Sequence, residues 1–82
     1  MLRWAVLGVV TEQEPIDLNG LNLWDFQWQL VDSDPVMLPH PHYSSQMHKW
    51  HVYEIEGAMR SIRFAACELS NGVWGFRVPV QN

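Results

Sequence analysis

The chain has 82 residues, a formal net charge of −4 and one cysteine, Cys67. This length predicts a single domain spanning residues 1–82, and a lone cysteine allows no disulfide within the chain. Five basic residues against nine acidic ones lack the positive field that nucleic-acid phosphates require, so nucleic acid is excluded as an expected partner. The 48% hydrophobic content and 17% charged content are typical of a folded globular chain.

The longest apolar run, from Trp4 to Val10, is far shorter than the roughly 20 residues of a membrane-spanning helix. The polar residues 11–14 follow it directly, with no small-residue cleavage site of the kind that ends a secretion signal. A lone cysteine also suits a reducing compartment. We therefore expect a cytoplasmic protein with no membrane partner.

The first third of the chain contains three predicted strand segments. The continuous apolar run from Leu2 to Val10 predicts a strand buried on both faces. The turn pair Asn19-Gly20, flanked by short apolar segments, predicts a small hairpin. Apolar and polar residues then alternate over residues 23–31, which predicts a strand with one buried and one wet face.

Residues 32–48 form the least regular stretch. Prolines at positions 35, 39 and 41 disfavour a regular helix or a central strand in its first part. The sequence therefore predicts a long loop, with a short helix starting near Ser44 as an alternative. Loops of this length are uncommon in compact domains and often carry function.

Three strands are predicted in the remainder, over residues 50–56, 60–69 and 73–80. In the first of them, His51, Tyr53 and Ile55 share one face. The connection Ser70-Asn71-Gly72 permits two registers. A two-residue turn places Cys67 opposite Phe76, whereas a three-residue loop with a left-handed Gly72 places Ala66 opposite Phe76. We favour the second, because it gathers more apolar side chains on one face. Pro79 indicates that the last strand lies at an edge or is ending.

These segments predict a mainly β fold. About five antiparallel strands form a curled meander or a partly closed barrel, with the long loop 32–48 at its side. An α+β fold, in which that loop contributes a helix, is the alternative.

All four histidines of the chain lie within twelve residues: His40, His42, His48 and His51. Imidazole is a common ligand of transition metals at neutral pH, and in extended backbone the first two rings point to the same side. This cluster is a candidate site for Zn²⁺ or a similar ion. The alternatives are a polar loop that contains histidines by chance, or a pH-sensitive loop.

The five tryptophans are the other conspicuous group. Side chains of this size are expected in the core, but the interior of such a small chain is limited. Tryptophan and arginine are also enriched at interaction hot spots. The candidate interaction residues are Trp24, Trp28, Trp50 and Trp74. On an extended strand, Trp24 and Trp28 would lie roughly 13 Å apart.

Catalysis has little support in the sequence. Cys67 lies among apolar neighbours, where thiols are normally inert, and no nucleophile elbow or phosphate-binding glycine loop occurs. We therefore expect a small binding domain without cofactor that acts through a tryptophan-rich sheet face or edge. Its expected partner is protein, first of all a second copy of the same chain. A histidine-based zinc domain is the alternative, and a small hydrolase is a distant third.

Overall fold

A computed structural model describes residues 3–18, 20–31, 35–40, 44–57 and 60–80. These residues form eight strands and one short 3₁₀ turn, Leu23–Asp25, and contain no α-helix. The strands are β1 (Arg3–Thr11), β2 (Asp17–Leu18), β3 (Leu21–Asn22), β4 (Gln29–Leu30), β5 (Val36–His40), β6 (Ser44–Glu56), β7 (Ser61–Ser70) and β8 (Val73–Val80).

Six of the strands form one antiparallel sheet. Its order is β1-β8-β7-β6-β4, and β5 pairs separately with β6, while β2 and β3 form a two-stranded hairpin. β1 and β4 are the two ends of this order, so the sheet is not closed into a barrel. The prediction of a mainly β, antiparallel domain is confirmed. None of the described residues belongs to a helix long and apolar enough to cross a membrane.

The two faces of the sheet are covered by different segments. On the first face, the segment from β2 to Trp28 packs over the sheet. The buried residues there are Ile16, Leu23, Ile55, Ile62, Phe64, Ala66 and Phe76. On the second face, the hairpin of β5 and β6 covers a smaller cluster made of Trp50, Ala65 and Cys67. The apolar residues of one small chain are thus divided between two layers.

β6 joins both layers because its two halves pair with different strands. Its first half pairs with β5, from Ser44 to Trp50, and its second half pairs with β7, from His51 to Glu56. His51, Tyr53 and Ile55 lie opposite the first-face residues of β7, because alternate residues of a strand face the same side. The predicted faces of this strand are confirmed.

The hairpin of β7 and β8 has the register that places Ala66 opposite Phe76. At the tip, Ser70 pairs with Val73, as in a two-residue turn. A one-residue shift between Glu68 and Ser70 then gives the rest of the hairpin the register of the three-residue loop. Gly72 has φ of 78°, a left-handed conformation that glycine adopts without steric penalty. The favoured register is therefore confirmed.

The prediction of a long loop over residues 32–48, and its helical alternative near Ser44, is wrong for the described residues. β5 and the start of β6 occupy most of this stretch as a hairpin. Pro39 is accommodated because β5 pairs only with β6, and proline is tolerated in edge strands and next to bulges. Such a bulge lies between Pro39 and His40.

The predicted strand over residues 23–31 is also wrong in its first part. The side chain of Asn22 accepts a hydrogen bond from the backbone N–H of Trp24 and caps the 3₁₀ turn, and strand pairing begins again only at β4. Local capping of this kind competes with strand formation. Leu30, expected on the buried face, is 54% exposed.

Two further expectations about strand position need correction. β1 lies at an end of the sheet, and Leu7 and Val9 are 46% and 37% exposed, so this strand is not buried on both faces. β8 lies between β1 and β7 rather than at an edge. Its pairing with β7, however, stops at Arg77, shortly before Pro79.

Candidate functional site

Three of the candidate tryptophans pack against one another on the first face. The rings of Trp24 and Trp28 stack with centroids 5.2 Å apart and planes at 18°. Trp74 meets both edge-on, at 6.0 Å from Trp24 and 5.8 Å from Trp28. Stacked and edge-to-face arrangements are the favourable geometries for aromatic pairs. The 3₁₀ turn brings the first two rings together, whereas an extended strand would keep them apart.

This aromatic cluster, defined as Trp24, Trp28 and Trp74, continues into the core. Trp28 lies edge-on to Phe64 at 4.9 Å, and Trp24 lies edge-on to Phe76 at 5.6 Å. Through these contacts, the cluster packs the segment that contains Trp24 and Trp28 against strands β7 and β8. Its contacts are those of a hydrophobic core, although each of the three rings remains partly accessible to solvent.

Each indole N–H of the aromatic cluster donates a hydrogen bond within the chain. The acceptors are the Glu14 carbonyl oxygen for Trp24 at 2.7 Å, the Leu23 carbonyl oxygen for Trp28 at 2.8 Å, and Glu12 Oε1 for Trp74 at 2.9 Å. A polar ligand would have to displace these bonds before it could use the indole donors. The arrangement serves packing better than recognition of a polar ligand.

Trp50 lies on the second face and is fully buried, with 0% of its surface exposed. Its Nε1–H donates to the Leu38 carbonyl oxygen at 2.9 Å, and its ring stacks on His40 with centroids 6.1 Å apart. Of the four tryptophans that the sequence singled out, this one presents no surface to a partner in the folded chain. The structure brings the other three together and leaves Trp50 apart from them.

Arg77 packs beside Trp50 and is only 8% exposed. Its Nη2 donates to the Pro39 carbonyl oxygen at 2.5 Å, and its guanidinium carbon lies 4.7 Å from the centre of the Trp50 ring. Burial lowers the pKa of Arg77, since the charged form loses solvation. The attraction between a cation and an indole face partly offsets this loss. Arg77 thus attaches the β5–β6 hairpin to β8.

The described histidines lie at three positions on β5 and β6. His40 is fully buried, and His48 lies opposite Leu38. His51 pairs with Ala66 of β7, while His42 lies outside the described residues. Within the described ranges, no three histidine, cysteine, aspartate or glutamate residues are grouped to hold a metal ion. The zinc interpretation stays a prediction.

Cys67 is buried at 5% exposure on the second face. Burial raises the pKa of its thiol, and the neighbouring Glu68 carboxylate raises it further. The reactive thiolate is therefore scarce at neutral pH. This environment matches the inert thiol that the sequence indicates.

Exposed aliphatic side chains lie at the ends of the sheet, where sequence reasoning did not place them. β1 exposes Leu7 and Val9, and the opposite end of the sheet exposes Leu30 and Val31. The apolar run of β1 has no alternation that separates inward from outward positions. Its exposure follows from strand order, which no local pattern in the sequence encodes.

No protein-family model, no curated protein and no solved structure matches this chain.

Proposed function

We propose that this protein is a small interaction domain that binds a second copy of itself through the outer edge of β1. The observation that carries the proposal is an open, apolar strand edge. β1 is nine residues long and pairs with β8 on one side only, with no described strand on its other side. Backbone N–H and C=O groups at such an edge can form a ladder with an added strand.

The side chains of β1 favour this pairing. No charged residue lies between Trp4 and Val10, and Leu7 and Val9 expose apolar surface. Many edge strands carry lysine or proline, which oppose association. β1 has neither, and its only interruption is a register shift between Val6 and Gly8. Gly8 has φ of 142°, a conformation that favours glycine.

Charge at the two ends of β1 favours a second copy as the partner. Two copies that pair antiparallel about a two-fold axis at Leu7 would place Arg3 level with Thr11 of the second copy, beside Glu12. Arg3, the first residue of β1, is basic, and Glu12, which follows its last residue, is acidic. Such a two-fold contact is self-complementary, and opposite charges at its ends favour one register over others.

The aromatic cluster is a weaker candidate for the contact because its rings and indole donors are occupied within the chain. The cluster supports the proposal indirectly. It stabilises the fold through contacts on the first face and does not cover the outer edge of β1. A cytoplasmic location is part of this proposal, and the single buried cysteine supports it.

The test is the oligomeric state of the purified protein, measured by sedimentation equilibrium over a wide concentration range. We expect a reversible dimer. Leu7→Lys should shift it to monomer, because two lysines would then lie opposite each other at the two-fold axis. Leu30→Lys is the matched control, since Leu30 is also exposed, at 54% against 46% for Leu7, but lies in β4, at the opposite end of the sheet.

Circular dichroism of both variants separates loss of association from loss of folding. Arg3→Glu provides a second measurement, because it would place acidic residues at both ends of the contact and weaken the dimer. A wild-type protein that stays monomeric at millimolar concentration would contradict the proposal. So would a dimer that Leu30→Lys disrupts and Leu7→Lys does not.

A further inference from the structure

The strands β7 and β8 stop pairing before they end, and a cleft opens between their unpaired parts. Their ladder ends at Ala65 opposite Arg77, although both strands continue for several residues. A cleft of about 260 Å³ occupies this position. Its lining residues are Leu18, Arg60, Ser61, Ile62, Arg63, Val78 and Pro79. The cleft is thus walled by the start of β7, the end of β8 and one residue of β2.

Pro79 lies in the part of β8 that no longer pairs with β7. In the register of this hairpin, Pro79 stands level with Arg63, two positions beyond the last pair. Proline has no N–H, so it cannot donate a ladder bond to β7. β8 remains paired with β1 there, where Trp4 lies opposite Pro79. The cleft therefore lies where β8 stays paired with β1 and is no longer paired with β7.

Two arginine residues, Arg60 and Arg63, line this cleft in a protein of net charge −4. Arg60 is exposed and forms no ion pair with any described residue. Arg63 contacts Glu54 through Nε, at 3.5 Å from Oε2, and 60% of its side chain is exposed. An exposed pair of this length is weak and competes poorly with a better-placed anion. Both cations are thus available to a ligand.

Apolar side chains line the same cleft. Leu18, Val78 and Pro79 contribute hydrocarbon surface next to the two arginines. Guanidinium groups bind carboxylates in a planar, forked geometry, while hydrocarbon walls favour an apolar group on the same ligand. Inorganic phosphate would use the cations and leave the apolar walls in contact with water.

We propose that this cleft binds a small organic carboxylate that carries a short apolar chain. The carboxylate contacts Arg60 and Arg63, and the chain lies against Leu18 and Val78. Such a group occurs in free short-chain acids and at the carboxyl terminus of a peptide that ends in an aliphatic residue. The volume of about 260 Å³ is below that of typical drug-sized sites and suits a ligand of either kind.

The proposal can be tested by following amide chemical shifts of the ¹⁵N-labelled protein during titration with sodium hexanoate. We expect saturable shifts at the start of β7 and the end of β8. Hexanol tests the requirement for the carboxylate, and inorganic phosphate tests the requirement for the apolar chain. Both should bind at least about tenfold more weakly than hexanoate. A short peptide ending in leucine, as free acid and as amide, distinguishes a peptide terminus from a free acid.

Three variants assign the effect to the cleft. Arg60→Gln should weaken hexanoate binding about tenfold through loss of a charge-assisted contact. Glu54→Gln should strengthen it about threefold, because Arg63 then loses a competing carboxylate. Lys49→Gln is the matched control: it removes one exposed positive charge from β6, outside the cleft, and should leave the affinity unchanged.

Equal affinities for hexanoate and hexanol would overturn the proposal, as would equal effects of Arg60→Gln and Lys49→Gln. Absence of saturable shifts at these strands up to tens of millimolar hexanoate would also overturn it. Circular dichroism verifies that each variant is folded. None of these outcomes depends on the oligomeric state of the protein, so the cleft and the β1 contact are tested separately.

Discussion

The ring of Trp50 lies so close to Gly75 that a β-carbon at position 75 would stand 2.8 Å from Trp50 Cη2. The same β-carbon would stand 3.0 Å from Cδ2 of His40. Gly75 is therefore a place on β8 where the β5–β6 hairpin approaches the sheet closely. The second layer of this small domain depends on the absence of a side chain at one position.

Gly75→Ala should destabilise the fold by about 1–3 kcal/mol, because the added methyl group forces the Trp50 ring out of a closely packed site. Urea unfolding followed by tryptophan fluorescence measures this change. Gly72→Asn is a suitable control, since nothing lies within 4 Å of a β-carbon there and asparagine tolerates its left-handed backbone. Equal midpoints for Gly75→Ala and the wild type would show that the hairpin moves aside freely.

Arg77→Lys should lower the free energy of unfolding by about 1–3 kcal/mol. Lysine keeps the charge but lacks the planar guanidinium that both lies over Trp50 and donates to the Pro39 carbonyl oxygen. Arg63→Lys makes the same exchange at a largely exposed position and should change stability by less than about 0.5 kcal/mol. Equal losses of stability in Arg77→Lys and Arg63→Lys would show that the guanidinium of Arg77 makes no special contribution to the fold.

Trp28 should tolerate replacement by phenylalanine better than by leucine. Its ring has edge-on contacts with Phe64, Trp74 and Phe76, and each such pair contributes about 0.5–1.5 kcal/mol beyond its buried area. Both variants lose the indole donor, so their comparison isolates the aromatic contacts. We expect thermal or urea unfolding to place Trp28→Leu at least about 1 kcal/mol below Trp28→Phe. Identical stabilities would assign the contribution of Trp28 to burial alone.

The carboxyl group of Glu14 should titrate at lower pH than an ordinary glutamate. Its Oε1 accepts hydrogen bonds from the backbone N–H of Thr11 at 3.0 Å and from Thr11 Oγ1 at 3.1 Å, which lower its pKa. A lowered folded-state pKa stabilises the fold above the unfolded-state pKa. That stabilisation disappears as pH falls through the folded value.

Thr11→Val removes the hydroxyl donor and keeps the backbone donor. The pKa of Glu14, measured by carboxyl-carbon NMR titration, should then rise part of the way to its ordinary value. The free energy of unfolding should then decrease less as the pH is lowered. An unchanged pKa in Thr11→Val would show that the hydroxyl bond does not form in solution.

Local patterns were sufficient to predict the parts of this fold that depend on neighbours in sequence. The alternation around His51, Tyr53 and Ile55 defines the faces of β6. The turn at Gly72 and the adjoining one-residue shift together set Ala66 opposite Phe76. Period-two patterning and turn chemistry act over a few residues, so they are visible in the chain itself.

The remaining features depend on contacts between distant residues. Pro39 argues against a strand unless β5 is known to pair on one side only, and the exposure of Leu7 requires knowledge of the strand order. The alternation from Trp24 to Leu30 resembles a strand, but the Asn22 cap and aromatic packing produce a different local structure. The candidate sites depend on these same long-range features, so the sequence indicated tryptophans and histidines and missed the β1 edge and the cleft.

The pairing of β1 with β8 also determines how this domain can be joined to other chains. Arg3 lies opposite Val80, so the first and last described strands end side by side. A linker of a few residues would therefore be enough to connect them and allow the chain to be opened elsewhere, for example at the exposed turn before Gly72. The same closeness allows the whole sheet to be inserted into a surface loop of a larger protein without separating the ends of that loop.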